Sequence, residues 1–440
     1  MNANAGGRSV LSRLPGSAFG ARHRRAITRS SLYVGTILLV IAIAAPTFIV
    51  PSLKELPANI DYDVSTAPTR GILIDSAAFK AGHPSASHSS DPACVGQAMP
   101  TRCYIETDVP LRASEKVTTA SSSKKTTKLR AVSTLYAGDL DTPERESGSD
   151  AKGQVDADNE IGSIHDEVVM NRHTAFPSKK PQSSVAMDLS ALGVGDDVKV
   201  SINDFVRNGY QFRFPFGSER RSYRFFDAAT GTATPIDFVN AIQQRGKDVY
   251  SEGIDVYQFS QDLGPVNLYD AQRRLMDNAG NVSEEQRQEL DRLRRNIPAS
   301  SWGLSSGAPI QMDPYCVATR TINVEPTTGI ITNNSVTLWV FYAQNYNEAK
   351  TIKENQDKEL ASPSRTMLHF DAQWDDRTKE ARLHDIQRVI KPLNIWSKAV
   401  PWITGVSGMI LILTGLYLYF DARQAGRRPA GKSPDAPDSP

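Results

Sequence analysis

The sequence predicts an α+β protein: a β-rich domain of mainly antiparallel strands with helical insertions, between an N-terminal and a C-terminal transmembrane helix. Three observations predict this. Uncharged apolar runs of 19 and 20 residues stand near the ends, Leu32 to Val50 and Pro401 to Phe420. At 1.5 Å per residue each makes a helix about 30 Å long, the thickness of a hydrocarbon core. Between them, apolar and polar residues alternate in many short stretches, and no strand–helix–strand rhythm appears.

Charge orients the two ends. Residues 1–50 carry six arginines and no acidic residue, the tail from Asp421 carries +1, and the net charge of the 440 residues is +1, so the middle holds −6. Arginines precede the first run and follow the second. The positive-inside rule then predicts a two-pass plasma-membrane protein with both termini cytoplasmic. Its parts are a basic arm (1–31), a span (32–50), an extracytoplasmic domain (51–399), a second span (400–420) and a cytoplasmic tail (421–440). A cleaved signal peptide is the alternative for the first run, because Ala42-Ile43-Ala44-Ala45 resembles a cleavage site. The length of the run favours a retained anchor. Membrane lipids are thus expected partners, and the near-neutral total gives no reason to expect nucleic acid.

Within the domain, Ile60 to Val64 and Gly71 to Asp75 read as strands. Polar insertions are expected near 82–160, where Thr118 to Thr127 and Ala137 to Gly162 read as exposed loops around a strand at Lys128 to Tyr136. Asp197 to Ile202 and Ile254 to Phe259 alternate as strands. A second insertion is expected near 266–312. There Ser283 and Gln286 make a capping box, and Val282, Leu290, Leu293 and Ile297 form a thin stripe that predicts an outlying helix. Strands return at Ala318 to Glu325, Val336 to Tyr342 and Met367 to Trp374. Glu380 to Ser397 then reads as a helix kinked at Pro392. Of the three cysteines, Cys94 and Cys103 are the preferred disulfide, with either one paired to Cys316 as the alternative.

Catalytic signatures are scarce. The sequence contains no phosphate-binding glycine loop, nucleophile elbow or His-Glu-x-x-His, and its seven histidines stand at no metal-ligand spacing. His165-Asp166-Glu167 and Asp375-Asp376 read as a solvated loop and a polar turn. No enzyme, metal or cofactor is therefore expected. The distinctive stretch runs from Phe212 to Asp227. Phe212, Phe214 and Phe216 alternate onto one face of an extended segment, and Arg220, Arg221 and Arg224 cluster after the turn. Rings beside guanidinium groups suit an amphiphile, with its chain on the rings and its anionic head on the arginines. An aromatic core strand with a solvated basic turn is the plainer reading.

This stretch, Phe214-Pro215-Phe216-Gly217-Ser218-Glu219-Arg220-Arg221 with Tyr223 and Asp227, resembles a motif of the actinobacterial PorA-like porin family. Gly253-Ile254-Asp255-Val256-Tyr257-Gln258-Phe259 and Glu325-Pro326-Thr327-Thr328-Gly329 are similar to later family motifs in the same order. Asn323 stands where the family usually has tryptophan. The resemblance implies either of two functions. One is a periplasmic domain that binds or passes a glycolipid or lipoglycan of the lipomannan type, alongside envelope-biosynthesis proteins. The other is a channel-forming porin of the mycolic-acid-containing wall. Strand-like runs of five to eight residues and two long apolar helices favour the first, since a membrane barrel needs strands of roughly ten residues.

Overall fold

The computed structural model describes residues 18–96, 99–138, 160–189, 198–280 and 282–425. The basic arm up to residue 17, Asp197, the polar stretch 139–159 and the tail from residue 426 lie outside the described residues. The chain forms two compact units, one joining residues up to Lys54 with those from Lys391, the other Glu55–Ile390.

In the first unit, helices Ala18–Ala44 and Val400–Ala425 lie against each other. They belong to helical stretches, Ala26–Leu53 and Asp376–Asp421, that are long and apolar enough to cross a membrane. Glycine sets how closely they approach. A Cβ on Gly35 would stand 2.9 Å from the Gly408 carbonyl oxygen and 2.7 Å from Ile412 Cγ1. In lipid there is no hydrophobic drive between helices, so such backbone contact is what holds them. Tyr33, Ile37, Trp402 and Leu413 keep the outer faces apolar and exposed. The helix that holds Pro392 continues through it to Asn394 and into a π-turn, Ile395–Ala399. Such turns are where helices absorb a fault in their hydrogen bonding.

The second unit is β-rich, as expected. Its strands among the described residues are β1 (Asp61–Ser65), β2 (Thr69–Ile74), β3 (Ile105–Ser122), β4 (Thr126–Ala137), β5 (Glu160–Asn171), β6 (Ser183–Asp188) and β7 (Lys199–Phe205). They continue with β8 (Tyr223–Asp227), β9 (Thr232–Gln244), β10 (Ile254–Asn267), β11 (Arg295–Pro298), β12 (Pro309–Val324), β13 (Ile331–Ala343) and β14 (Thr366–Gln373). The order is β7-β6-β5-β4-β3-β2-β14-β13-β12-β10-β9-β8, with β1 beside β3 and β11 beside β12. Two meanders are therefore joined at β2 and β14, where Leu73 faces Leu368 and Ile72 faces His369 in antiparallel register.

The sheet curls until its two ends meet. Phe205 of β7 stacks on Phe226 of β8 with ring centres 6.1 Å apart. The chain leaving β7 joins β8 directly: Phe226 N–H donates to the Tyr210 carbonyl, and Tyr210 N–H to the Arg224 carbonyl, both at 2.8 Å. Val185, Val200 and Ile202 consequently share one core with Val340, Leu368 and Phe370 from the other meander. Period-two patterning makes this possible, because every second residue of β6 (Ser183, Val185 and Met187) is buried.

Several sequence expectations are corrected. Thr118 to Thr127 is no loose loop but the tip of the β3–β4 hairpin, whose strands run 18 and 12 residues. Its outermost residues, Ala120 to Lys125, are exposed on both faces and have no reason to alternate. Strands β9, β10, β12 and β13 span 13 to 16 residues, so the short runs read from sequence do not distinguish the sheet from a membrane barrel. The helices Leu268–Asp277 and Glu284–Asp291 are not outlying. Leu290 and Leu293 are buried in the main core, because the thin stripe meets apolar residues of β7 and β12. The capping box at Ser283 and Gln286 forms as expected, and Cys94 and Cys103 are joined by a disulfide.

Candidate functional site

Two motif loops build one corner of the β-rich unit. Glu325 accepts hydrogen bonds from Thr327 N–H, Thr328 N–H and Thr328 Oγ1, at 2.6 to 2.8 Å, which folds Pro326-Thr327-Thr328-Gly329 into a tight turn. Gly329 has φ +72°, and a Cβ there would stand 2.1 Å from the Phe214 carbonyl oxygen. Only glycine admits that approach. Phe214 N–H in turn donates to the Gly329 carbonyl at 2.9 Å, and Ser218 N–H to the Pro326 carbonyl at 2.8 Å. The Phe212–Asp227 stretch and the Glu325–Gly329 turn are thus clamped main chain to main chain.

The clamp replaces the extended aromatic strand expected between Phe212 and Phe216. Phe212 packs with Leu56, Val117 and Leu129. Phe214 turns into another cluster, stacked on Phe259 at 5.0 Å. Phe216 lies under the Arg213 guanidinium at 4.7 Å. Arg220, Arg221 and Arg224 are exposed, with Arg221 over the Tyr223 ring and Arg224 donating to the Ala233 carbonyl. The structure therefore does not gather these six residues at one place. Of the six, Phe212 borders the first two of the three cavities that run through this unit.

Three cavities follow one another through the curled sheet. The first, a vestibule of about 260 Å³, is lined by Leu56–Tyr62, Phe212, Arg213, Arg382 and the helix turn to Val389. It shares Tyr62, Phe212 and Arg382 with the second, a charged waist of about 180 Å³. The waist shares Ser133, Ile164 and Ala229 with the third, a chamber of about 250 Å³. That chamber is walled by strand side chains, among them Ala113, Leu135, Leu338, Val340, Leu368 and Phe370.

The waist concentrates the charge. Arg320 donates to Asp227 at 2.5 Å and to Gln261 at 2.7 Å. Burial pushes the Asp227 carboxyl up, but the Arg320 guanidinium and the Thr230 hydrogen bonds outweigh it, leaving Asp227 below the usual carboxylate range. Glu115 differs. Burial dominates and holds its carboxyl above the usual range, against the hydrogen bond that Ser133 Oγ donates at 2.9 Å. In the vestibule, burial and then the neighbouring charge of Arg382 push Arg213 down to about 9. Arg382 lies 4.0 Å over the Tyr62 ring and donates to the Ile331 carbonyl and to Asp385.

Other groups singled out in the sequence have structural work. Asp166 forms a buried pair with Arg207 at 3.0 Å, and Glu167 pairs with Arg130 at 2.7 Å. Asp375 caps the helix that begins at Asp376, accepting from Thr378 N–H. Asp248, Glu380 and His384 come close enough together to hold a cation. Glu380, however, already accepts from three backbone N–H groups at Lys247, Asp248 and Val249. The residues that sequence reading missed are Arg213, which lies between two of the rings it named, and Glu115, Arg320 and Arg382, which no local pattern marks.

Comparison with known proteins covers nearly all of this architecture. A family model described as Porin PorA matches residues 30–417, both helical ends included. Porin PorA of Corynebacterium resistens is 30% identical over 431 residues, spanning 92% of this chain and 98% of its own. Porin PorA of Corynebacterium amycolatum is 30% identical over 402 residues, spanning 89% and 98%. The clamped motif loops, the curled sheet and the apolar helix at each end are therefore those of a chain that belongs to the Porin PorA family.

Proposed function

We propose that the protein is a transport protein of the cell envelope, whose β-rich domain passes an amphiphilic glycolipid or lipoglycan intermediate through its interior. The observation that carries this reading is the series of three cavities sharing walls, from a vestibule with arginines to a chamber walled by Leu, Val and Phe. An amphiphile has the same sequence of chemistries along its own length, and apolar pockets with a few placed polar groups are what such ligands occupy. The disulfide and the arginine-rich flanks support an extracytoplasmic domain between two retained spans, with both termini in the cytoplasm. Membrane lipids and envelope-biosynthesis proteins are the partners that fit, and no catalytic role is assigned.

Cys316 supplies a direct test. It lines the chamber, is buried and is free of the disulfide. The purified full-length protein is treated with an alkyl mercurial, with and without lipoglycan extract or dodecyl phosphate. Protection of Cys316 by either amphiphile, with lipids recovered by mass spectrometry, is the expected result. Equal labelling under all conditions, with no lipid recovered, overturns the reading.

The printed name of both relatives favours a second reading, a channel-forming porin, ahead of the glycolipid role. The long strands and the end-to-end closure of the sheet are compatible with it. Stepwise conductance of the purified protein in planar bilayers, insensitive to blocking substitutions in the chamber, would favour the channel and displace the first reading.

A further inference from the structure

We infer that Arg213 and Arg382 form an anion site in the vestibule, which holds a phosphate or carboxylate group at the head of the amphiphile while its chain reaches toward the chamber. This rests on reading the cavities as the cargo route. Both guanidiniums line the same cavity and both side chains are more than nine-tenths buried. Arg213 spends Nε on the Thr328 carbonyl at 3.0 Å, and its Nη2 has no hydrogen-bond partner. Among the described residues it pairs with no carboxylate. Glu325, the acidic residue of the adjoining turn, is occupied by Thr327 and Thr328. Asp385 divides its oxygens between Arg382 at 3.0 Å and Arg388 at 3.6 Å.

Asp385 partly balances Arg382, but Arg213 is taken out of water with no ion pair of its own, and two neighbouring guanidiniums each disfavour the other's charged form. The downward push on Arg213, from burial first and then from Arg382, is that cost expressed at one group. A bound anion offsets it and gives the open Nη2 an acceptor, and planar guanidinium forks match phosphate and carboxylate oxygens in pairs. Tyr62 and Phe212, shared with the waist, provide apolar surface directly beyond the two cations. The chemistry selects an oxyanion and leaves open whether it is free or carried on a lipid.

The test uses the full-length protein in lipid nanodiscs. Binding of dodecyl phosphate, dodecanol and inorganic phosphate is measured by calorimetry for wild type, Arg213→Gln and Arg213→Lys. Dodecyl phosphate is expected to bind about tenfold or more tightly than dodecanol, because hydrogen bonds to charged groups are the strong ones. Arg213→Gln should abolish that preference and leave dodecanol binding unchanged, while Arg213→Lys should keep most of it. Inorganic phosphate binding that Arg213→Gln removes, with no gain from the alkyl chain, also supports the anion site and assigns it to a free ion. Equal binding of dodecyl phosphate and dodecanol by wild type overturns the anion site and leaves the route intact. No binding of either alkyl compound overturns the route. Because Arg213→Lys and the dodecanol control read chemistry rather than folding, a poorly folded Arg213→Gln does not leave the matter open.

Discussion

The vestibule and the chamber are nearly equal in volume, about 260 and 250 Å³, and are made of opposite materials. Loops, a helix turn and buried arginines build the vestibule, and their positions are fixed by hydrogen bonds between main-chain atoms. The chamber is walled mostly by the inner faces of β3, β4, β5, β12, β13 and β14, and its shape follows from strand pleat and side-chain size. The difference teaches where discrimination and where capacity reside. On the proposed function, hydrogen-bonded charge would choose a head group, whereas an apolar wall would accept any chain that fits.

The comparison breaks most sharply at the waist that separates the two. Arg320→Ala leaves Asp227 buried without its partner, and both side chains are about nine-tenths buried. A loss of about 4 kcal/mol is expected from chemical denaturation. The pH dependence carries the same signature. Asp227 is held below its unfolded pKa of about 4, so its stabilisation is present above that value and is lost as pH falls through the lower folded value. Arg320→Ala should erase that acid-side loss.

Gly329→Ala strikes the vestibule alone. It places a Cβ against the Phe214 carbonyl oxygen and forces a non-glycine residue to φ +72°. About 3 kcal/mol of stability should go, together with any preference for anionic amphiphiles, while dodecanol binding in the chamber survives. Loss of both binding modes would show that the two cavities are not separable. Leu368→Ala strikes the chamber. This wall already faces a void, so the cost should fall at the lower end for such a change, about 2 kcal/mol. Longer alkyl chains should then bind better, at unchanged head-group preference.

The smallest effect is expected at Glu115, whose carboxyl is raised by burial. A carboxyl raised in the folded state costs stability when ionised, fully above its folded pKa and not at all below its unfolded one. Glu115→Gln should therefore raise the melting temperature slightly at pH 7, with the gain vanishing below about pH 4. A destabilised variant at pH 7 would mean that the ionised form is held by partners at the waist.

What could be read from the sequence follows the same division. The apolar ends, the alternation of Ile254 to Phe259, the capping box at Ser283 and the Cys94–Cys103 loop are all set by neighbours within about ten residues. Period and spacing report such features directly. The stretch around Phe212 stands out in the sequence, but not as the strand its alternation predicts: the Glu325–Gly329 turn, far along the chain, bends the backbone, and Phe212 and Phe214 enter separate clusters. The chamber was invisible because its walls, Ala113, Leu338 and Phe370 among them, are ordinary strand residues on an inward face. The waist was invisible because Glu115, Asp227, Arg320 and Arg382 come from four distant segments.

The joining of the two meanders at β2 and β14 bears on how the chain is made and folds. Strands β2 to β7 pair with sequence neighbours, as do β8 to β14 apart from the β10–β12 pair, so most of each half can form local hairpins as it emerges. The β2 edge, however, finds its partner only when Thr366–Gln373 arrives, after all the other strands of the sheet. Until then a long, partly formed sheet stands open with unpaired backbone groups. Chains truncated before β14 should therefore be caught by proteases or aggregate, and pulse-labelled full-length chains should become protease-resistant in a single late step.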